Sequence, residues 1–344
     1  MAELTNTQLQ DAIIIAKGLF GSFENRISEY GVLQAYLDST PLLLPGVVMD
    51  NIKKSPVQVT KIPFVKKNAI TPGTSRTCTI TGALSDTAFQ TLTWNTLNFP
   101  IKMTPSKYAG NYITPEADYG MQLNNGLRAV LAALDTAGAA ALENNKATWL
   151  QTVGSNLGTA GAGEYDVTLA NLYKVIPSIM KRNDIQGPYI NIANTEAEAT
   201  LLGMMTYGAN NQQNQAGLLG ILPMAGKFNN YFSNRITASG LEAHYIAPVG
   251  SLGLFTWNNF EHQNGVITSD GKKFFTRQDP ILGLTWDVTQ YTVCETDANY
   301  QQVVSTYEQW SIDYTMLSDY SSESTVVSTV TEIKSPIIKF ACAS

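Results

Sequence analysis

The stretch from Leu127 to Leu150, LRAVLAALDTAGAAALENNKATWL, decides how the rest of the chain is read. Leu127, Leu131, Leu134, Gly138, Leu142 and Trp149 fall on one narrow stripe at the helical period, the pattern of a helix with one face turned to a core. Arg128, Asp135 and Lys146 group about a quarter-turn away and predict a solvated stripe. On the other flank Ala133, Ala137 and Ala140 form a run of small side chains that lets another backbone or sheet approach closely. Upstream, Thr114 suits an N-cap, Pro115 the first helical position, and Glu116 and Asp118 the positive end of the helix dipole. Capping accounts for those two carboxylates without an acid–base role. A helix over 115–150 would be about 54 Å long, against a radius of gyration near ~20 Å for a compact chain of this size. A flat, elongated body is therefore expected. Gly120, Gly126 and Gly138 each cost about 1 kcal/mol relative to alanine in a helix and predict a bend or a later start.

The 344 residues suffice for two or three ordinary domains, and 44% of them are hydrophobic. Charged residues make up only 15%, against roughly 25% in average soluble proteins; Asn, Gln, Ser and Thr fill the deficit. Uncharged polar surface costs less to desolvate, which suits burial against other protein. The net charge of −6 argues against a basic nucleic-acid-binding surface. Cys78, Cys294 and Cys342 are widely spaced without a CxxC, so free thiols are expected rather than a disulfide framework or a zinc site. The N-terminus, MAELTNTQLQDAIIIAKGLF, lacks the basic start and long apolar run of a signal peptide. No apolar run approaches the ~18 residues of a membrane span, and a soluble intracellular product is expected.

Charge is unevenly distributed. Residues 51–107 hold eight bases (Lys53, Lys54, Lys61, Lys66, Lys67, Arg76, Lys102 and Lys107) and one acid, Asp86, for a net +7. The remainder holds 14 bases and 27 acids, for a net −13. From Ile52 to Met103 the pattern is extended: VQVTKIPFV, RTCTITG and QTLTWNTLNFPIKM alternate or are β-branched, with a turn at Thr71–Gly73. Pro63 demotes its strand to an edge or an exposed ribbon. Such a basic ribbon is either a solvated, lysine-protected edge or a segment that lies on an acidic partner surface and gains registry from complementary charge.

Elsewhere, residues 6–38 give two short amphipathic helical patterns, ended by the prolines of PLLLPGVV at Pro41–Val48. Gly154–Gly163 reads as a flexible connector; its GxxGxG follows a helix and lacks GK[ST], which argues against a phosphate loop. VTLANLYKVIPSIMKRN is helical, interrupted by Pro177. GPYINIAN is a buried strand, and Thr195–Glu198 is a capping box. The Asn- and Gln-rich GANNQQNQAG is expected to be exposed and mobile. After Gly240 nearly everything reads as strand, with turns at Asn264–Gly265 and Asp270–Gly271. From Glu295 to Glu332 there are seven acids and no bases.

Catalytic chemistry is hard to place. Only His244 and His262 are available, and there is no HExxH, no zinc-deaminase pattern and no GxSxG. VGSLG at Val249–Gly253 reads as a turn, His262 as a surface residue beside a hairpin, and His244 as a strand residue. No catalytic, cofactor-binding or metal-binding constellation emerges, and no cofactor is expected.

The order of features resembles a known family. A short helical arm, a long basic β excursion from Lys53 to Lys107, an alanine-rich helix and a β-rich C-terminal half are similar to the major capsid proteins of tailed double-stranded DNA bacteriophages, the Hong Kong 97-type fold. ALDTAGAAALENNKATWL resembles the spine helices of that family, and LGILPMAGKFNNYFSNRI and PVGSLGLFTWNNF resemble stretches seen in its members. The resemblance implies an α+β fold with an N-terminal arm over 1–50, an extended β loop over 51–108 and a peripheral domain over 109–185. The spine helix lies near 115–150. A mainly axial domain over 186–300 and a segment over 301–344 returning to the peripheral domain complete it. It further implies pentamers and hexamers closing into an icosahedral shell around packaged double-stranded DNA, without sequence-specific contact and without a membrane. Scaffold, portal and decoration proteins are the implied partners, the virion the implied location, and Lys53, Lys54, Lys61, Lys66, Lys67 and Arg76 the implied inter-subunit contacts. An encapsulin-like shell and a β-rich tail or adhesion component are the alternatives; an enzyme is not expected.

Overall fold

A computed structural model describes residues 11–16, 18, 30–44, 46–65, 87–108, 114–147, 158–161, 164–166, 176–181, 185, 187–199, 228–236, 242–279, 283–296, 301–317 and 335–342. The elements are α1 (Gly31–Leu43), α2 (Gly46–Lys54), β1 (Lys61–Val65), β2 (Thr87–Thr91), β3 (Asn95–Met103), α3 (Pro115–Asn144), β4 (Gly158–Gly161), β5 (Glu164–Asp166), β6 (Tyr189–Ala193), β7 (Phe228–Phe232), β8 (Glu242–Pro248), β9 (Gly253–Trp257), α4 (Phe260–Gln263), β10 (Lys273–Gln278), β11 (Thr285–Thr296), β12 (Gln302–Leu317) and β13 (Ile338–Cys342). Short helical stretches also occupy 11–16, 176–181 and 195–199. The fold is α+β. Among the described residues no single helix is long and apolar enough to cross a membrane.

Helix α3 starts as its sequence predicts. The Thr114 hydroxyl accepts the Ala117 N–H at 3.3 Å, Pro115 occupies the first turn, and Glu116 and Asp118 face the dipole. It ends where Asn145 turns back, its N–H and side-chain amide both reaching the Ala141 carbonyl, at 3.1 and 2.9 Å. The helix is thus 30 residues, about 45 Å, shorter than expected; Trp149 and Leu150 lie outside the described residues. Leu123, Leu127, Leu131, Leu134 and Leu142 are all buried, together worth on the order of 10 kcal/mol of transfer free energy. Neither Gly126 nor Gly138 interrupts the helix. A Cβ on Gly126 would stand 2.1 Å from the Phe99 ring, and one on Gly138 would stand 2.8 Å from Val32. Both glycines are places where β3 and α1 press onto the helix.

Two sheets flank this helix. The first is built on β12, with β3 along one edge and β11 followed by β9 along the other; β10 extends it beyond β11. Asp313 pairs with both Thr96 of β3 and Trp257 of β9, which fixes the two edges. Asp287 closes the seam between β11 and β9 by accepting the Asn258 amide at 2.9 Å and the Asn259 N–H at 2.7 Å. Phe99, Trp286 and Trp310 form the aromatic centre, with Phe99 stacked on Trp310 at 6.0 Å and edge-on to Trp286 at 5.7 Å. The second sheet has the order β4-β5-β13-β8-β6-β7. One of its faces (Ile190, Ile192, Ala243, Tyr245, Ala247) joins the α3 core. The other (Tyr189, Phe228, Ile246, Ile338, Phe340) packs on Ile176, Ile179 and Met180 of the 176–181 helix.

Polar side chains fasten α3 along its length. Tyr119 donates to buried Glu308 of β12 at 2.7 Å, and Arg277 of β10 stands 3.7 Å from the same carboxylate. Burial and the Glu308 charge hold the Tyr119 phenol well above its usual range. Halfway along, Asp135 accepts the Leu33 N–H at 2.9 Å and the Ser233 hydroxyl. It caps α1, which has no side-chain cap of its own. At the far end Glu143 accepts from Lys146 at 2.6 Å, from Lys339 of β13 at 3.1 Å and from Tyr245 of β8. Burial alone would raise the Glu143 pKa; these three donors outweigh it and hold the carboxyl at about 2.

Several expectations are corrected. Asp135 is not on a solvated stripe but fully buried, because two donors outside α3 converge on it. Pro41 does not stop α1 but lies in its last turns; the break comes at Leu44, and α2 carries helix through Ile52–Lys54, where a strand pattern was read. Part of the supposed connector, Gly158–Gly161, is strand β4, paired with β5. Asn194 rather than Thr195 caps the 195–199 helix, its side-chain oxygen accepting the Ala197 N–H at 3.2 Å. The residues after Asn258 form the short helix α4. Strands β11 and β12, on either side of residue 300, share one sheet, whereas β13 joins the other. Gly265 and Gly271 do adopt positive φ in their turns, at 66° and 82°, and β6 is buried throughout.

Two outcomes follow from this packing. A Gly126→Ala change adds helix propensity but collides with Phe99, and it is expected to cost about 1–3 kcal/mol in urea denaturation; an unchanged midpoint would contradict the contact. The Glu143 pKa is lowered on folding, so its contribution is present above the ordinary value of 4.5 and fades as the pH falls towards about 2. Glu143→Gln is accordingly expected to lower the urea midpoint at pH 6–7, with the difference from the parent shrinking towards pH 3.

Candidate interaction surface

Strands β1 and β2 form a two-stranded antiparallel ribbon, with Lys61 opposite Thr91 and Val65 opposite Thr87. Among the described residues it pairs with no other strand, as Pro63 in β1 predicts. Its root is firmly held. Ile62 and Leu92 bury against Leu43, Leu44, Ile52, Phe255 and Leu317, and the Leu92 N–H donates to the Thr60 carbonyl at 2.8 Å. The Trp94 indole donates to Val59 O at 2.8 Å and the Trp257 indole to Ser55 O at 2.7 Å. Asp313 accepts from Gln58 at 3.1 Å and from Thr96 at 2.5 Å. Beyond the root, Phe89 is 63% exposed, an aromatic side chain with most of its surface in water.

The six basic residues singled out from the sequence do not all sit on this ribbon. Lys61 is its first residue and is exposed. Lys53 and Lys54 belong instead to the last turn of α2, where their charge complements the helix dipole; they are exposed, and the Lys53 carbonyl accepts from Gln263 at 3.3 Å. Lys66, Lys67 and Arg76 lie outside the described residues. Lys102, counted in the same basic segment, pairs with Glu295 and lies 5.1 Å from the centre of the Tyr307 ring. Lys102, Tyr307 and Ser305 together hold Glu295 at about 2. That part of the positive charge is compensated within the chain, across β12 between β3 and β11.

The two histidines serve the fold. His244 is buried in β8, its Nδ1 3.2 Å from the Asn191 side-chain oxygen and its Nε2 3.7 Å from Glu242, a strand residue as expected. His262 is half-buried rather than on the surface: its Nε2 lies 3.0 Å from the Thr289 hydroxyl and its ring meets Phe274 edge-on at 4.9 Å. Burial pushes its imidazole below the usual range despite nearby Asp287. Val249–Gly253 forms the expected turn, with Ser251 donating to the Pro248 carbonyl at 2.8 Å. Among the described residues no three His, Cys, Asp or Glu side chains gather as metal ligands. Cys294 is an exposed free thiol; Cys78 and the Cys342 side chain lie outside what is described.

An alanine-lined cleft of about 470 Å³ runs beside the C-terminal half of α3, between Ala137, Ala140 and Ala141 on one side and Thr91, Thr93 and Tyr314 on the other. The small-residue flank thus faces a cleft at the ribbon root. Sequence reading missed the residues that hold that root, above all Trp94 and Asp313. Trp94 was visible as the large apolar member of an alternating run; nothing local marks Asp313.

No family model matches this sequence, and no curated protein is detectably similar to it. The chain is similar in structure to one from Mycobacterium phage Che8 at 11% identity and a TM-score of 0.44, covering 86% of each chain. It is likewise similar to the capsid structure of the cyanophage P-SCSP1u at 12% identity and a TM-score of 0.44, covering 83% of each. For the capsid of Ralstonia phage GP4 the values are 10% and 0.44, over 85% of this chain and 86% of that one.

Proposed function

We propose that this chain is a structural shell subunit, the major capsid protein of a tailed double-stranded DNA phage, of the Hong Kong 97-type fold, and not an enzyme. The observation that carries the reading is the ribbon. An isolated two-stranded sheet is marginal in water, yet among the described residues β1 and β2 pair with no other strand while their root is packed, in a segment of net +7 on a body of net −13. Such a ribbon gains both order and registry when it lies on the acidic face of a second copy. Lys61, with Lys66, Lys67 and Arg76, supplies the charge there; Lys53 and Lys54, at the end of α2, contact a neighbour at the root.

In this reading residues 1–50 form the arm and 51–108 the extended loop, whose last strand, β3, returns into the β12-centred sheet. Helix α3 with the β12-centred sheet forms the peripheral domain, and the six-stranded sheet forms the axial domain. Copies associate through heterologous contacts into pentamers and hexamers that close into an icosahedral head. Scaffold, portal and decoration proteins and the packaged DNA are its partners, the virion is its destination, and assembly takes place in the host cytoplasm.

Negative-stain microscopy of the purified protein is expected to reveal shells, pentamers or hexamers; a monomer or dimer at every salt and protein concentration would sink the proposal. Replacing Lys61, Lys66 and Lys67 together by Glu is expected to abolish or strongly weaken assembly while leaving thermal unfolding of the subunit within a few degrees of the parent. Undiminished assembly would remove the ribbon's electrostatic role.

A further inference from the structure

We infer that Asp135 is a strained latch on helix α1: its carboxyl group, buried with no cation in contact among the described residues, keeps α1 docked in acid and favours its release as the pH rises. The other carboxylates that fasten α3 have counter-ions. Glu308 has Arg277 at 3.7 Å, and Glu143 has Lys146 and Lys339 at 2.6 and 3.1 Å. Asp135 has only neutral donors, the Leu33 N–H at 2.9 Å and the Ser233 hydroxyl, and no ion pair among the described residues includes it. An ion buried without a counter-ion is costly even when hydrogen-bonded.

The charged groups around it do little to relieve that cost. Helix α1 contains a single charged residue, Asp38, which accepts the Tyr231 hydroxyl of β7 at 2.8 Å and adds negative charge. From the segment after β7, exposed Arg235 favours the anion through its field. On α3 itself the nearest charged side chains are Arg128 and Glu143, about two turns away in either direction. Burial therefore dominates and raises the Asp135 pKa above 3.8, against the hydrogen bonds from Ser233 and the α1 backbone.

Helix α1 is the element this governs because it bridges the two sheets. Thr40 accepts the Leu254 N–H of β9 at 2.9 Å, Asp38 meets β7, and Tyr30 pairs with Ser233. Loosening α1 removes one of the ties between the β12-centred sheet and the six-stranded one, α3 being the other. The sign follows from linkage. A carboxyl whose pKa is higher docked than released supports docking fully below its ordinary value of 3.8 and loses that support as the pH rises through its docked value. This inference holds whether or not the chain builds a shell.

Hydrogen exchange on the full chain, corrected for intrinsic rates and followed between pH 4 and 8, tests it. Protection of residues 31–43 relative to 123–134 in α3 is expected to fall with rising pH, by about tenfold for each unit by which docking raises the carboxyl pKa. In Asp135→Asn, whose amide can still accept from Leu33, the profile is expected to be flat and α1 better protected at neutral pH. A flat profile in the parent, or an Asn variant that follows the parent, overturns the inference. Ser233→Ala takes one donor from the ion and is expected to widen the drop between acid and neutral pH; no widening counts against the latch.

Discussion

Everything in this fold depends on one helix having to satisfy two sheets at once. A helix of 30 residues outruns what either sheet can cover, so α3 meets β3 and β12 over one part and reaches β8 and β13 at its end. Leucines supply most of the adhesion, but leucine contacts are non-directional and would tolerate sliding. The polar contacts fix the position. Tyr119 finds Glu308 only at one axial position, and Glu143 finds Lys339 and Tyr245 only if the six-stranded sheet stands at the matching distance. Gly126 and Gly138 add a steric register, because Phe99 and Val32 fit only where the helix has no Cβ. The relative placement of the sheets is thus a property of the helix.

The parts of this arrangement legible in the sequence are those fixed by local periodicity. The leucine stripe, the Thr114 cap, the buried β6 strand and the proline-marked ribbon all rest on neighbours within a few residues, and all appear in the structure. Asp135 was misread because a helical wheel assigns every carboxylate to water. Its donors come from Leu33 and Ser233, 102 and 98 residues away, and no local pattern reports them. Lys339, only 3% exposed, was invisible for the same reason, since its partner Glu143 is 196 residues distant. The errors at Pro41 and at Ile52–Lys54 have a different origin. A proline late in a helix forfeits few contacts, and a β-branched residue beside lysines reads as strand until burial of Ile52 against Phe255 and Leu317 selects helix. Of the candidate surface, the ribbon was legible and its root was not.

The same packing explains why the ribbon can stand apart. Two tryptophan indoles donate to the backbone of residues 55 and 59, and the Asp313 carboxylate ties residue 58 to β12. The chain therefore leaves the body from a fixed point. With a rigid root and, among the described residues, no flanking strand, the ribbon has a defined direction but little stability of its own. Any surface that covers it must accommodate Lys61 and the exposed Phe89. An uncovered strand pair exposes unpaired backbone groups at its edges.

The ionisable groups point the same way. Glu308, Glu143, Asp287 and Asp135 are engaged in joining helix to sheet, strand to strand or helix to helix, and His244 and His262 are taken up by Asn191 and Thr289. Buried charge here is spent on geometry. A chain that uses its carboxylates to fix the distance between two sheets has committed its buried charge to shape.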